Sequence, residues 1–275
     1  MSSTTATNDV LLEIKGLSKQ FRLRSEFGRT GEILHAVRDL DFVLHRHGSL
    51  AIVGESGSGK TTTARIIVGL EVATAGEVTF EGRSLSTRPR RRDRRARARQ
   101  LQMVFQNPYA SLNPRDTAEQ TLREVLTFHG VVSRAERSVR VSELLEQVGI
   151  DQTEARRRPR ELSGGQCQRI AIARALAVEP QLMVLDEAVS ALDVSTQAQI
   201  LNLLADLRSR LGLSMLMISH DLAVVRQVCD EIVVMYQGRA VERGTVDAVL
   251  DSPQDPYTQR LVASVPDGPG SLGLR

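Results

Sequence analysis

The sequence predicts an α/β fold: a parallel-sheet core, a more antiparallel β lobe at its front, and a helical subdomain inserted in the core. Three observations carry this expectation. Short apolar runs at Leu50 to Val53, Leu182 to Leu185 and Ser214 to Ile218 look like buried strands, and each leads into polar residues and then a helical pattern. LLEIKGLSKQFRL, starting at Leu11, and the alternating LDFVL of 40–44 look like strands of the antiparallel lobe. Between about 107 and 160 the strand pattern stops and apolar residues recur at helical spacing.

Taken in chain order, the first nine residues, MSSTTATND, are small and polar with no apolar stretch behind them, so no signal peptide is expected. The strand LAIV runs into a glycine-rich turn, and a helix is expected to begin near Thr61. In the insertion, Leu122, Val125 and Leu126 mark one helix and Val141, Leu144, Leu145 and Val148 another, with Gly149 as its C-cap. After the Leu182 strand, Ile200, Leu203, Leu204, Leu207 and Leu211 share one face of a long helix, with Arg208 and Arg210 on the other. No internal repeat is present, and no apolar run approaches the roughly 20 residues of a membrane helix.

Composition narrows the class. The chain has 275 residues, enough for one large domain or a core with a sizeable insertion. Its two cysteines, Cys167 and Cys229, lie in no metal-ligand or redox motif, so a disulfide scaffold or zinc site is not expected and a reducing cytoplasm is the default. Residues 88–99, RPRRRDRRARAR, carry eight arginines against one aspartate, a local +7 that leaves −4 for the rest of a chain whose net charge is +3. Such a run could meet nucleic acid or anionic headgroups. No aromatic residue interleaves it to stack on bases, so it is read as a solvated connecting helix.

The chain has only three lysines against 33 arginines, and one of them, Lys60, stands in GESGSGKTT. This stretch comprises Gly54, Glu55, Ser56, Gly57, Ser58, Gly59, Lys60, Thr61 and Thr62. Its glycines let successive N–H groups turn into one concavity, and the following helix adds its positive end, where phosphate binds. Lys60 supplies a flexible point charge for the β- and γ-phosphates, and Thr61 a hydroxyl for Mg²⁺. These are the demands of a P-loop nucleotide triphosphatase.

Further along, LMVLDE ends a buried strand in two carboxylates. Asp186 is placed to hold the Mg²⁺ shell, while Glu187, expected on the other side of the strand, can polarise an attacking water. Gln106 and His220 each follow an apolar stretch, QMVF and MLMIS, and could position water, metal or γ-phosphate. LSGGQ at 162–166 precedes the helical QRIAIARAL, so Ser163, Gly164, Gly165 and Gln166 open a helix with free N–H groups, a second anion-binding device.

LSGGQ between such a phosphate loop and such a strand resembles the ABC-type ATPases, in which two ATPase domains pack head to tail and each ATP lies between one phosphate loop and the partner's LSGGQ. The resemblance covers roughly residues 10–266, with a helical subdomain at approximately 107–175 and a flexible tail at 267–275. It implies that Gln106 belongs to a Q-loop contacting Mg²⁺ and water, that Ser190, Ala191, Leu192 and Asp193 form a D-loop, that His220 is the switch histidine, and that Phe21 stacks on adenine. Glu187, His220 and Gln106 are then the catalytic group, and ATP and Mg²⁺ the ligands.

QNPYASLNPRDT (106–117), DEAVSALDVSTQAQILNLL (186–204) and SPQDPYTQRLVASVP (252–266) look like the ATP-binding subunits of dipeptide and oligopeptide importers. Ala188 and Val189 replace the Pro-Thr common elsewhere, and Cys167 stands where Arg is frequent; neither change removes a catalytic group. Some members carry a cysteine-rich C-terminal iron–sulfur site; with no Cys after 229, none is expected here. The resemblance implies a sister ABC ATPase subunit, in a heterodimer rather than a homodimer, two integral membrane permeases, an indirect extracytoplasmic substrate-binding protein, and a peripheral place on the cytoplasmic face of the membrane. A nickel importer or related accessory ATPase shares nearly the same motifs. A soluble ABC ATPase acting on nucleic acid is disfavoured, because those families fuse two ATPase units or insert long coiled coils.

Overall fold

A computed structural model describes residues 9–22, 32–85 and 91–264. The start of the arginine run (88–90) and the tail expected at 267–275 lie outside the described residues. In chain order the strands are β1 (Val10–Arg22), β2 (Ile33–His45), β3 (Ser49–Val53), β4 (Ala75–Phe80), β5 (Arg83–Ser84), β6 (Leu101–Val104), β7 (Leu182–Asp186), β8 (Ser214–Ser219), β9 (Glu231–Tyr236) and β10 (Arg239–Thr245). The helices are α1 (Lys60–Val68), α2 (Arg91–Gln100), α3 (Pro108–Ser111), α4 (Ala118–His129), α5 (Arg137–Gln147), α6 (Gln152–Ala155), α7 (Gly164–Leu176), α8 (Val194–Leu211), α9 (Leu222–Val228), α10 (Val246–Asp251) and α11 (Pro256–Ala263).

Two sheets form. A six-stranded sheet runs β10-β9-β3-β8-β7-β6, parallel except for the β9–β10 hairpin, and an antiparallel sheet runs β2-β1-β4-β5. The central strands β3, β7 and β8 are buried at every residue, which is why they read as continuous apolar runs. Alternation then splits each strand between two cores. Leu50 and Ile52, Leu182 and Val184, Leu216 and Ile218, and Val233 and Met235 face a core shared with Ile66 and Ile67 of α1 and with the antiparallel lobe. Ala51 and Val53, Met183 and Leu185, Met215 and Met217, and Ile232 and Val234 face the core built with α7, α8, α9 and the insertion helices. Each fully buried Leu or Ile in these layers contributes about 1.5–3 kcal/mol over leaving it in water.

The insertion helices carry their own start and stop signals. Thr117 and Gln120 form a capping box on α4, and Gly130 closes it in the left-handed region. On α5, Val141, Leu144 and Leu145 are buried as expected, but Val148 is the cap and Gly149 (φ 68°) is the left-handed residue just beyond it. Leu211, expected on the buried face of α8, is exposed: it is the last residue of the helix, beyond the reach of the core that takes Ile200, Leu204 and Leu207. The strands β4, β5, β6, β9 and β10 have no counterpart among the strands expected from the sequence. The arginine run is helical over its described part, but it is not simply solvated. Arg97 donates to the carbonyls of Ile66 and Ile67 at the end of α1 and to Leu85 O, and Arg95 donates to Phe128 O at the end of α4. Cys167 and Cys229 are both buried free thiols, and burial pushes Cys229 up to about 12.

Candidate nucleotide site

The loop from Gly54 to Gly59 joins β3 to α1, and glycine is required at its two ends. Gly54 has φ 145° and Gly59 φ 104°; a Cβ at Gly54 would stand 2.1 Å from Met235 O, and one at Gly59 2.2 Å from Ala36 O. The loop therefore lies pressed against β9 and β2, and Gly238 N–H adds a hydrogen bond to Ser58 O (3.1 Å). Ser56 and Gly57 are exposed at its crest, Gly59 and Thr62 are half-buried, and the Ser58 hydroxyl is buried without a partner.

Lys60 is 4 % exposed, and its ammonium donates to Gly54 O (2.7 Å) and Glu55 O (2.8 Å). Burial pulls its pKa below the ordinary lysine value, opposed by the carboxylates of Glu187, Asp186 and Glu55. Beside it, Thr61 Oγ1 donates to Asp186 Oδ1 at 2.9 Å, joining residues 125 apart in the chain. Burial pushes Asp186 above the ordinary carboxylate value, and the Thr61 hydroxyl opposes that shift.

Glu187 departs from the expected geometry. Strand β7 stops at Asp186, and Glu187 adopts φ 48°, with its N–H bonded to Ile218 O. Its direction is set by this left-handed turn rather than by strand alternation, a conformation that is costly for a non-glycine residue. The turn carries the carboxylate to Gln106, whose Nε2 donates to Glu187 Oε2 (3.0 Å) and to Ser190 Oγ (3.2 Å), and to His220, whose Nδ1 lies 3.6 Å from Glu187 Oε1. Three of the residues singled out in the sequence thus form one polar cluster beside the Thr61–Asp186 pair.

The signature residues stand elsewhere. Ser163 caps α7, accepting from Gln166 N–H (3.2 Å) through its hydroxyl, while Gln166 Oε1 accepts from Ser163 N–H (2.8 Å). The capping box therefore occupies two amides read as free and leaves those of Gly164 and Gly165. Among the described residues no hydrogen bond or ion pair joins 163–166 to 54–62. The Asp193 carboxylate caps α8, accepting from Thr196 N–H and from the hydroxyls of Ser195 and Thr196, and these bonds lower it to about 2. Phe21 lies half-buried near the end of β1, 4.7 Å from the Lys19 ammonium.

The residues fit a Mg²⁺-triphosphate. A hydroxyl and a carboxylate 2.9 Å apart are the oxygen donors a hard cation takes, and the orphaned Ser58 hydroxyl and buried Lys60 ammonium face the loop that would hold phosphate. Sequence reasoning missed Tyr257, whose hydroxyl accepts from Glu55 N–H at 3.0 Å. The stretch DPYT that contains it was read only as a mark of kinship.

The model of the ABC transporter family matches residues 37–190. A glutathione import ATP-binding protein of Salmonella typhimurium is 45 % identical over 270 residues, 96 % of this chain and 42 % of that protein, so the chain spans less than half of that relative's length. A Brucella ovis protein carrying the name peptide import ATP-binding protein is 45 % identical over 94 % of this chain and 80 % of its own length. An ATP-binding cassette solved as a dimer in a post-hydrolysis state with ADP and Pi superposes with a TM-score of 0.76 at 29 % identity, over 86 % of this chain and 99 % of that one. With its phosphate loop, paired acids and signature helix inside a matching fold, the chain belongs to the ABC transporter family, as one of its ATP-binding cassettes.

Proposed function

We propose that the chain binds and hydrolyses ATP as the ATPase subunit of an ABC importer, coupling hydrolysis to the uptake of peptides through separate membrane permeases. The observation that carries this reading is the cluster in which Thr61 meets Asp186 while Glu187 meets Gln106 and His220. The amides of the Gly54–Gly59 loop and Lys60 hold the triphosphate. Thr61 and Asp186 would hold Mg²⁺, which would supply positive charge to neutralise the triphosphate. Glu187 orients and polarises the attacking water, Gln106 keeps that carboxylate aimed, and His220 faces it from just beyond β8. Phe21 takes the adenine.

Among the described residues no hydrogen bond joins Gly164 or Gly165 to the Lys60 loop, and in this reading the site is completed in trans by a second cassette. The solved cassette with ADP and Pi is itself a dimer, which supports this arrangement. A sister subunit is preferred over a second copy. Peptides are the preferred cargo because relatives at 45 % identity are named for peptide and glutathione import, and glutathione is itself a small peptide. Among the described residues no helix is long and apolar enough to cross a membrane. In this reading the two permeases are separate chains, with the cassette against their inner face.

Glu187→Gln tests the assignment. It should retain ATP binding and cut turnover by about 100-fold or more. Turnover near wild type in that variant would remove Glu187 from the mechanism.

A further inference from the structure

The phosphate loop is bonded to a part of the fold that its own motif does not include. Tyr257, the second residue of α11, is 5 % exposed and stacks on Tyr236 of β9, with ring centroids 4.3 Å apart and planes 29° apart. Its hydroxyl accepts from Glu55 N–H at 3.0 Å. That N–H belongs to the same peptide plane as Gly54 C=O, and Gly54 O accepts from Lys60 Nζ at 2.7 Å. One peptide group is thus gripped by the tyrosine on one edge and the lysine on the other.

This plane needs an external grip. Gly54 has φ 145°, a region open to glycine, where the barrier to rotating the following peptide is lowest. Residues 55–57 are exposed, so packing does not fix them. The tyrosine, in contrast, is held firmly. Asp255 Oδ1 accepts from Tyr257 N–H at 2.8 Å, and the Glu242 carboxylate of β10 accepts from Gln254 N–H (2.8 Å) and Asp255 N–H (3.1 Å). Burial raises the phenol pKa, so the hydroxyl stays protonated and accepts through its lone pairs.

We propose that Tyr257 is a positioning residue for nucleotide binding: by holding the Gly54–Glu55 peptide, it sets the carbonyl that aims Lys60 at the triphosphate. The C-terminal segment, β10 through α11, is then part of the phosphate site, and whatever pulls on that segment changes ATP affinity. This rests on the reading of residues 54–61 as the triphosphate loop.

The test is Mg·ATP affinity, measured by calorimetry on the full chain. Tyr257→Phe keeps the ring and its stack and removes only the acceptor, so affinity should fall about three- to tenfold, the share of one hydrogen bond, while the chain still folds cooperatively with a melting midpoint lowered by no more than about 4 °C. In a Lys60→Ala background the same substitution should change the residual affinity less than about twofold, because the two residues act through one peptide. Tyr236→Phe keeps the stack and removes a hydroxyl that accepts from Gln237 Nε2 and makes no hydrogen bond to residues 54–60 among the described residues, so it should bind like wild type. Glu242→Gln weakens the segment's other anchor and should lower affinity in the same direction, which keeps the test open if Tyr257→Phe does not fold. Wild-type chain that binds no Mg·ATP would sink the loop reading and this inference together. Wild-type binding with Tyr257→Phe equal to it would sink the inference alone, and an equal loss with and without Lys60 would overturn the route through the lysine.

Discussion

Arg97→Ala separates the two readings of the arginine run. Arg97 Nη2 donates to Ile66 O (2.9 Å) and Ile67 O, and Nη1 to Leu85 O (3.2 Å). Truncation leaves these carbonyls to find other partners. Ile66 O keeps one, the Gly69 N–H at 3.1 Å, so the loss falls on Ile67 O, at a fully buried residue, and on Leu85 O, at a half-buried one. A buried carbonyl without a partner costs about 1–3 kcal/mol, and the second is discounted because water can reach it. Against this, Arg97 Nε is itself buried without a partner, and burial lowers the guanidinium pKa, so truncation also relieves a cost. The balance is a loss of about 2 kcal/mol of unfolding free energy. Arg94→Ala and Arg99→Ala, at exposed positions of the same helix, should each stay within about 0.5 kcal/mol of wild type. Urea unfolding reads the difference as a lower midpoint at unchanged slope. An Arg97→Ala midpoint equal to that of Arg94→Ala would refute the claim that this side chain pins α2 to the phosphate-loop helix, and would restore the run as a uniformly solvated surface.

Two further outcomes follow from the site. Mixing Lys60→Ala chains with Gly164→Asp chains, each inactive alone, should restore ATPase activity only if the chain pairs with itself, since a head-to-tail pair then holds one intact site; the preferred heterodimer predicts no recovery until the sister subunit is added. Gly164 is the position to use, because a Cβ there meets Leu192 at an ordinary 3.4 Å, whereas at Gly165 it would meet Thr196 at 2.3 Å. For acid stability, Asp193 is lowered from 3.8 to about 2, chiefly by the Ser195 hydroxyl and the Thr196 amide and hydroxyl. Its contribution is therefore present above the unfolded value and lost as pH falls towards 2, so the stability gap between wild type and Asp193→Asn should narrow between about pH 5 and about pH 3. A gap that stays constant across that range would show that the carboxylate's charge does not hold the cap.

What the sequence determined by itself is what depends on neighbours within a turn or two. Glycines that must take positive φ, the strand–turn–helix around Lys60, the helix start at Ser163, and the apolar runs of β3, β7 and β8 all state their requirements locally. So do the paired acids, although not their directions: Glu187 is turned by a left-handed backbone that no pattern of residue types announces. The tertiary structure decided who meets whom. Thr61 reaches Asp186 across 125 residues, Gln106 reaches Glu187 across 81, and Glu55 reaches Tyr257 across 202. Arg97 belongs to a run that reads as solvated, yet its guanidinium reaches the carbonyls at the end of α1 and the residue is half-buried, while the Asp193 carboxylate caps the start of α8. The reason lies in the sheet. Its order, β10-β9-β3-β8-β7-β6, brings the ends of strands far apart in the chain to one edge, and that order is set by which buried faces pack together, a property of the whole core rather than of any stretch of sequence.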